Sequence, residues 1–482
     1  MTRPEALLVE LSVPGRGTDY LPRLDVPQAP LPDAPRGRLG LPEVSEVDVV
    51  RHFTRLSQLN YSIDTGIYPL GSCTMKYNPR VNEAVARLPG FLDIHPLQDE
   101  ATVQGALELL WELQEALCAI AGMDACSVQP AAGAQGEFTG VQMIRAYHRD
   151  RRDPGRDTIL VPDSAHGTNP ATAAMVGYAV EAIASDERGN IGLDALKAAT
   201  GDRVAGLMVT NPNTLGLFEE HIAEVAAIIH AGGGLVYADG ANMNALLGVA
   251  KARELGMDIL HYNLHKTFAT PHGGGGPGAG ATAVVEAVAP FLPRPVVVRR
   301  DDGSFGLDAD RPRSIGRVHG FHGNFSNCVR GLAYILANGA DGLAAVSRAA
   351  VLNANYLRVR LGERYDSPFD RFSMHEAILS GRRQAKGGVH TLDIAKRLED
   401  YGCHPPTIYF PLTVPEAMLI EPTETESVAS LDAFVAAMMA IADEAETDPD
   451  LVTSAPHTTP VRRLDEATAA RKPRLTWSDT AG

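Results

Sequence analysis

The feature that most constrains this chain is a repeated alternation of short apolar runs with helical patterns through its middle. The runs at residues 158–161, 204–210 and 235–238 have the length and unbroken apolar character of strands that are buried on both faces. Between the last two runs, residues 222–229 form one apolar helix face, and three glycines at residues 232–234 end it. This order predicts an α/β domain with a mostly parallel sheet, helices on both faces and right-handed crossovers.

Helical and strand-like patterns also flank this region. Apolar residues recur at helical spacing over residues 102–121, and Gly122 follows as a C-cap. Beyond an arginine-containing loop at about residues 299–317 the pattern becomes helix-rich, with a strand-like run at residues 407–411 and a last helix at residues 430–445. We therefore expect a smaller α+β domain at the C-terminus.

The patterns predict four parts. Residues 1–100, which are rich in proline and short of periodic pattern, are expected to form an extended N-terminal arm and interface segment that packs over another surface. Residues 101–292 are expected to form the large, cofactor-binding domain, and residues 293–350 a connecting loop and helices. Residues 351–482 then make up the small C-terminal domain.

Charge and cysteine content exclude several classes of protein. A formal net charge of -16 argues against nucleic acid and anionic membrane surfaces as partners. The N-terminus lacks an apolar core of signal-peptide length, and no stretch approaches a membrane span by inspection. The five cysteines are widely spaced without a CxxC pair, which argues against a disulfide scaffold or a metal site. We expect a cytoplasmic enzyme.

Two residues near strand ends carry the strongest chemical signal. Asp239 follows the apolar run 235–238, and Lys266 follows a second short apolar segment. In an open α/β sheet, ligands bind beyond the carboxyl ends of the strands. A lysine that forms a Schiff base and a carboxylate that keeps a pyridine nitrogen protonated together predict a pyridoxal 5'-phosphate site. For an isolated pair, a surface lysine and a helix-capping aspartate remain the alternative.

Two neighbouring motifs suit the same cofactor. Residues 129–137 form a loop of small residues before a helical run at residues 138–148, so the backbone amides of Gly133, Ala134 and Gln135 can cradle a phosphate. An ordinary strand-to-helix turn is the alternative. His166 follows the run 158–161 and can lie flat against the cofactor ring, or it can be a satisfied core or capping residue.

Further candidates lie close by in the sequence. Asn211 and Thr214 follow the run 204–210, and their short side chains can bind the ring hydroxyl or the substrate, although turn formation explains Asn211 equally well. His265 precedes Lys266 directly. The glycine-rich stretch at residues 271–278 lets backbone approach a ligand closely.

These residues resemble the fold type I pyridoxal enzymes, in particular their decarboxylases. The stretch YPLGSCTMKYNP at residues 68–79 is similar to a signature of the glycine decarboxylase family, the P-protein of the glycine cleavage system. Similarity continues almost end to end, through residues 164–170, 210–218, 404–407, 421–427 and 459–465. Residues around 320–326 are less typical of the family.

The resemblance implies a fold type I large domain, a smaller C-terminal domain and glycine as substrate. It further implies that Lys266, Asp239 and His166 are the catalytic residues, and that carbon dioxide leaves while an aminomethyl group passes to the lipoyl arm of the H-protein. The chain resembles only the C-terminal half of the fused enzymes, as does glycine dehydrogenase subunit 2. Glycine dehydrogenase subunit 1 is therefore the expected partner, in an α2β2 heterotetramer.

Two other functions remain open. A pyridoxal decarboxylase of a larger amino acid would share Asp239, His166 and Lys266, but has no evident need for the signature at residues 68–79. A non-catalytic scaffold subunit would not need both Asp239 and Lys266. The signature itself is expected either to line a site shared with the partner, with Tyr68, Lys76 and Tyr77, or to serve as an interface strap without catalytic contact.

Overall fold

The computed structural model describes residues 5–17, 22–27, 29, 40–272 and 278–475. Its strands are β1 Ala125–Ser127, β2 Thr158–Pro162, β3 Ala179–Ile183, β4 Val204–Thr210, β5 Leu235–Gly240, β6 Ile259–Asn263, β7 Gly280–Val284, β8 Val296–Arg299, β9 Phe305–Asp308, β10 Ala377–Ser380, β11 Thr407–Ile408 and β12 Ala417–Ile420.

Helices cover much of the remaining chain. They are α1 Glu46–Leu59, α2 Arg80–Ala86, α3 Pro89–Leu92, α4 Gln104–Ala121, α5 Gly133–Asp150, α6 Thr168–Val176, α7 Leu193–Ala199, α8 Ile222–Ala231, α9 Leu264–Thr267, α10 Phe325–Leu361, α11 Arg382–Ala385, α12 Thr391–Asp400, α13 Val428–Thr447, α14 Pro449–Thr453 and α15 Glu466–Arg471.

A seven-stranded sheet forms the centre of the large domain, in the order β1-β7-β6-β5-β4-β2-β3. Strands β3, β2, β4, β5 and β6 are parallel, whereas β7 pairs antiparallel with both β6 and β1. The predicted α/β class with a mostly parallel sheet is confirmed. The antiparallel edge is an addition that the short apolar patterns of β1 and β7 did not reveal.

Successive residues of the central strands pack into two different hydrophobic cores, one on each face of the sheet. Leu207, Val236 and Leu260 pack in a cluster with the apolar face of α4, including Leu107 and Leu110. Their chain neighbours on the same strands, which are Met208, Tyr237 and Ile259, pack in a second cluster with Val141, Met143 and Ile144 of α5. Because successive side chains point to opposite faces of a sheet, apolar residues on both faces of these strands are covered, which explains their unbroken apolar runs.

Several expected boundaries agree closely with the structure. Strand β4 spans residues 204–210 as predicted, α4 ends at Gly122 in the left-handed conformation (φ 71°), and the last long helix contains the predicted residues 430–445. Two boundaries were wrong. The strand-like run 407–411 contributes only Thr407–Ile408 to a sheet, and α5 begins at Gly133 where a loop was expected as far as residue 137.

The small domain contains an antiparallel sheet in the order β10-β12-β11. Its core joins residues of α10, α12 and α13 with the sheet, and Ile67 of the N-terminal segment is buried in the same cluster. Leu70 forms an antiparallel bridge with Ile420. The N-terminal segment thus adds to the small domain, and it is not extended throughout, because it holds α1, α2 and α3.

Helix α10 is shared between the two domains. It runs through the expected boundary at residues 350 and 351, and its backbone leaves the helical conformation at Gly339 (φ 61°, ψ -176°). Leu332 and Val346 belong to the large-domain core, whereas Leu357 and Leu361 belong to the small-domain core. The expected division into four parts stays a prediction.

Length and composition alone make α10 a candidate membrane span, which the inspection of the sequence had not suggested. Such a helix is weak evidence by itself, because core helices of soluble proteins pass the same test. Here the helix is interrupted at Gly339, and its buried residues pack into both cores. All five cysteines are free.

Candidate active site

A cavity of about 260 Å³ lies at the carboxyl ends of the central parallel strands. Thr210 at the end of β4, Asp239 near the end of β5 and Asn263 at the end of β6 all line it. The start of α5, the segment after β2 and the turn α9 close the same space. This is the position at which an open α/β sheet gathers the polar residues that follow its strands.

Lys266 reaches this cavity from α9, the single turn that follows β6 directly. Its Nζ donates a hydrogen bond of 2.9 Å to the backbone carbonyl of Ser72. The predicted lysine therefore lies in the site, and its amine is held by a residue from the N-terminal segment.

Asp239 is buried in the same cavity wall and is held by two donors. Its carboxylate accepts from the Asn169 side-chain amide at 2.9 Å and from the Ala241 amide at 3.0 Å, and His261 Nε2 lies 3.5 Å from it. Burial opposes ionisation, but the His261 charge and the two donors outweigh it and lower the pKa of Asp239. A carboxylate at this position stays charged at neutral pH.

Tyr237 fixes the orientation of the histidine beside Asp239. Its hydroxyl lies 2.5 Å from His261 Nδ1, and burial raises the pKa of Tyr237 well above its ordinary value. The hydroxyl therefore keeps its proton and donates a hydrogen bond to Nδ1, which leaves Nε2, the ring nitrogen that faces Asp239, to carry the proton of the ring.

The start of α5 forms the end of the cavity nearest β6. Gly133 and Ala134 line the cavity, and α5 has no side-chain cap, so its first amide groups are available to an anion. A Cβ added at Gly133 would lie 2.3 Å from Asn263 Oδ1, so only glycine permits this approach. The side chain of Gln135 points elsewhere, accepting from the Ala131 amide at 2.6 Å and donating to the Val318 carbonyl at 2.6 Å.

A hydrogen-bond network connects His166 with Asp239. His166 Nδ1 lies 3.0 Å from Thr168 Oγ1, which donates to Glu137 Oε1 at 2.8 Å. Asn169 donates to Glu137 Oε2 at 3.1 Å as well as to Asp239. Burial, followed by the neighbouring Asp239 charge, raises the pKa of Glu137. Glu137, which the sequence analysis missed, thus anchors the first turn of α6 against α5.

The remaining predicted residues divide into two groups. Thr214 and His265 line the cavity, and burial together with the Lys266 charge lowers the pKa of His265 to about 4, so its ring is neutral. Asn211 is buried outside the lining, where its Oδ1 accepts from the Glu219 amide at 3.0 Å. That contact fits the turn-forming alternative for Asn211. The glycine-rich stretch falls, at residues 273–277, outside the described residues.

One wall of the cavity comes from residues that were not among the predicted cofactor-binding residues, and of these only Ser72 lies in a stretch that the sequence analysis singled out. Ser72, His375 and Glu376 line it, and Glu376 Oε2 accepts from the Ser72 amide at 2.7 Å. Glu421, from the stretch 421–427, accepts from Thr74 Oγ1 at 2.7 Å nearby. The resemblance of residues 68–79 and 421–427 to one family was the only available signal that these stretches share a site.

Lys76 joins three parts of the chain beside the cavity. Its buried Nζ donates to Asn244 Oδ1 at 2.8 Å, to the Thr267 carbonyl at 2.9 Å and to Glu424 Oε1 at 2.6 Å. Thr267 is the residue after Lys266, so this contact fixes the turn that carries the Lys266 amine. Together with Ser72, it places part of the stretch 68–79 in the wall of this chain's own site.

Family models match both domains. The model described as glycine cleavage system P-protein matches residues 23–304, and the model described as glycine dehydrogenase, C-terminal domain, matches residues 346–457. The first of these covers more than half of the chain.

Two relatives are similar over the whole length. A probable glycine dehydrogenase (decarboxylating) subunit 2 from Caldanaerobacter subterraneus subsp. tengcongensis is 56% identical over 479 residues, covering 98% of this chain and 99% of the relative. The protein of the same description from Halalkalibacterium halodurans is 56% identical over 487 residues, covering 99% of each chain.

Solved structures support the same fold. An inhibitor-bound glycine decarboxylase (P-protein) of the glycine cleavage system has a TM-score of 0.70 at 22% identity, covering 88% of this chain and 92% of that one. Glutamate decarboxylase of Lactobacillus brevis has a TM-score of 0.64 at 12% identity, covering 88% and 96%. At these identities the likeness concerns the fold alone.

Proposed function

The chain belongs to the glycine cleavage system P-protein family, and we propose from this that it is the cofactor-bearing subunit of a two-subunit glycine decarboxylase. It removes the carboxyl group of glycine as carbon dioxide and passes the aminomethyl group to the lipoyl disulfide of the H-protein. The observation that carries the proposal is the convergence of Lys266, Asp239 and the uncapped start of α5 on one cavity.

The residues present fit pyridoxal 5'-phosphate. The first turn of α5, with Gly133 and Ala134, offers uncapped amides for a phosphate, and Asp239 offers a charged carboxylate for a pyridine nitrogen. Lys266 offers an amine for a Schiff base, and Thr210 Oγ1 is a buried lining atom without a partner among the described residues. Bound there, the cofactor supplies an electron sink for the pair of electrons that glycine retains when its carboxyl group leaves.

Residues of this chain keep Asp239 charged and hold the amine of Lys266 in place. Asp239 is kept anionic by Asn169, Ala241 and the Tyr237-directed tautomer of His261. Lys266, whose amine donates to the Ser72 carbonyl, would hold the cofactor covalently as a Schiff base. His166, positioned through Thr168, is assigned to contact with the cofactor ring.

The composition of the cavity wall favours decarboxylation. No arginine occurs among the lining residues that the structure describes, so no bidentate clamp is available to stabilise a substrate carboxylate. A decarboxylase benefits from this, because a carboxylate held tightly in the ground state raises the barrier to its departure. A decarboxylase of a larger amino acid is disfavoured by the family membership and by the full-length similarity to glycine dehydrogenase subunits.

The relatives' description as subunit 2 implies a partner subunit. We assign that partner as glycine dehydrogenase subunit 1, in an α2β2 heterotetramer, with the lipoylated H-protein as the second macromolecular partner. Apolar side chains exposed on α1, such as Val47, Val50 and Phe53, support an interface there. A cytoplasmic location is part of the same proposal.

Isotope exchange between carbon dioxide and the glycine carboxyl group tests this function. The chain, its partner subunit, pyridoxal phosphate and lipoylated H-protein together should incorporate labelled carbon dioxide into glycine, and Lys266→Ala should abolish the incorporation. Lys251→Ala, an exposed lysine outside the cavity, is the matched control and should leave it unchanged. Incorporation into a larger amino acid but not into glycine would refute the proposal.

A further inference from the structure

We propose that Glu376 is the proton donor of this site, a carboxylic acid that protonates the sulfur released when the acceptor disulfide opens. The inference rests on the proposed function and adds a residue to it. It assigns a task to a buried group that neither cofactor binding nor the departure of carbon dioxide uses.

The balance of the reaction requires such a donor. Zwitterionic glycine, a disulfide and one proton give carbon dioxide, an ammonium-methyl thioether and a thiol. The carbon–carboxyl bond and the sulfur–sulfur bond break, and a carbon–sulfur bond forms; the glycine carbon is oxidised and the disulfide is reduced. The second sulfur leaves with the electron pair of the disulfide bond and takes the proton, so one proton enters the site in each turnover.

Glu376 is placed next to the reactive amine by a single residue. Ser72, with the left-handed backbone φ of 61°, donates its amide hydrogen to Glu376 Oε2 at 2.7 Å, while its carbonyl accepts from Lys266 Nζ at 2.9 Å. Glu376 and Lys266 therefore lie on either side of one residue, and both line the cavity. A carboxyl group at this position reaches the space in which the amine of Lys266 meets its reactants.

The other oxygen of Glu376 is free to act. Among the described residues, Oε1 accepts no hydrogen bond, and His375 Nε2 lies 3.7 Å from it, which is beyond hydrogen-bond distance. Glu137, the other acid with a raised pKa on the lining, is already engaged, because its oxygens accept from Thr168, Asn169 and Thr172. Of these two acids, only Glu376 has an oxygen available to the cavity.

The surroundings favour the neutral acid. Glu376 and Glu421 are 2% and 1% exposed, and one atom of each lies within 4.8 Å of the other and of His375. Glu421 Oε2 and His375 Nδ1 are buried and have no hydrogen-bond partner among the described residues. Two carboxylates this close cannot both ionise without a large electrostatic cost, so the pair retains a proton.

Burial and the Glu421 charge outweigh the groups that favour ionisation of Glu376. Burial, followed by the Glu421 charge, raises the pKa of Glu376 to about 8, although the Ser72 amide and the Lys266 charge oppose this. Burial and Lys266 lower the pKa of His375 to about 3, so it is neutral and does not act as a cation beside the acid. Burial raises the pKa of Glu421 as well, and the Lys266 and Lys76 charges oppose this. Glu376 thus holds its proton at neutral pH and can release it to a thiolate.

Infrared difference spectroscopy of the holoenzyme tests the protonation state. Between pH 6 and pH 9.5, the wild type should lose a carbonyl band of a protonated carboxyl group, and Glu376→Gln should lack this band. Glu421→Gln removes the neighbouring charge and should shift the loss of the band to lower pH. Glu219→Gln is the matched control, because Glu219 is a buried acid with a raised pKa outside this cavity.

A single-turnover experiment tests the role. With partner subunit and H-protein present, Glu376→Gln should keep the glycine-dependent change in the cofactor absorbance, but form the lipoyl thiol about 100-fold more slowly than wild type. Wild-type rates of thiol formation in this variant, or no band assignable to Glu376 at pH 7, would overturn the assignment. If Glu376→Gln fails to fold, the infrared pH titrations of the wild type and of Glu421→Gln test the assignment instead.

Failure of the proposed function and failure of the proton-donor role of Glu376 give different experimental results. If the proposed function is wrong, the wild-type protein itself shows no glycine-dependent absorbance change and releases no carbon dioxide. If only the proton donor is wrong, the wild type is active and Glu376→Gln forms thiol at the normal rate.

Discussion

Lys266 Nζ donates its hydrogen bond to the carbonyl of Ser72, a residue 194 positions earlier in the chain. Ser72 belongs to the stretch 68–79, for which a site-lining loop and an interface strap were both open from the sequence. Within this chain the stretch lines the site, because Ser72 borders the cavity and Lys76 holds the turn after Lys266.

Lys266→Ala should remove the Schiff base and leave the fold intact, because a half-buried lysine at a turn contributes little to the core. The wild-type protein with cofactor should show visible absorbance that borohydride abolishes, and peptide mapping should then find the cofactor on Lys266. The exposed Lys251 serves as the control. Labelling of any other lysine would contradict the assignment.

Asp239→Ala should bind the cofactor and lose nearly all decarboxylation, since an unprotonated pyridine ring is a poor electron sink. Tyr237→Phe should cause a smaller loss of decarboxylation, about 10-fold, because it removes the hydroxyl that fixes the tautomer of His261 but leaves Asp239 in place. The two rates and the cofactor affinities are measured in parallel. Equal losses in the two variants would argue against the relay through His261.

Lys76→Met should destabilise the protein by about 3–5 kcal/mol, because it leaves Glu424 buried without its cation. The double variant with Glu424→Met should recover much of this, since it removes both charges. Denaturant unfolding of the single and double variants measures the coupling. Independent, additive effects would show that the pair is not energetically linked.

The contribution of Glu376 to the stability of the protein should decrease as the pH rises through the range from about 4.5 to about 8. The folded pKa of Glu376 is raised to about 8 from an ordinary 4.5, so the folded state holds a proton that the unfolded chain has released. The contribution is complete below pH 4.5 and is lost above the folded pKa. Thermal unfolding of wild type and Glu376→Gln across this range should give a flatter profile for the variant; parallel profiles would rule out this contribution.

The chain alone should be a poor catalyst and gain activity on addition of its partner subunit. Fold type I enzymes place their active sites near the contact of two large domains, and one subunit lacks the neighbouring wall. Mixing the purified subunits should raise the exchange of carbon dioxide with glycine and yield one hetero-oligomer on size exclusion. Equal turnover by the isolated chain with H-protein would disprove the need for a partner.

The sequence predicted the part of the site whose residues directly follow strands of the central sheet. Asp239 and Lys266 follow apolar strands, and parallel strands bring their carboxyl ends to one edge of a sheet, so position along the chain was sufficient. The start of α5 was placed too late, because glycine and alanine residues at 131–136 carry no apolar periodicity.

The opposite wall could not be predicted in this way. Glu376 meets Ser72 across 304 positions of the chain, through the docking of the N-terminal segment on the small domain. No periodic pattern in the sequence predicts a contact between segments that lie this far apart in the chain. Glu137 was missed for a different reason, since a glutamate in a helix is ordinarily a solvated residue and only its burial against Asn169 reveals its task.

The order in which the walls of the cavity occur along the chain has a consequence for biosynthesis. Ser72 leaves the ribosome first, then the strand ends with Asp239 and Lys266, and His375 and Glu376 emerge last. A nascent chain that has completed its central sheet therefore presents Lys266 in an open groove. The wall formed by His375 and Glu376 is added only when the small domain has been translated, so the cavity is enclosed after the central sheet is complete.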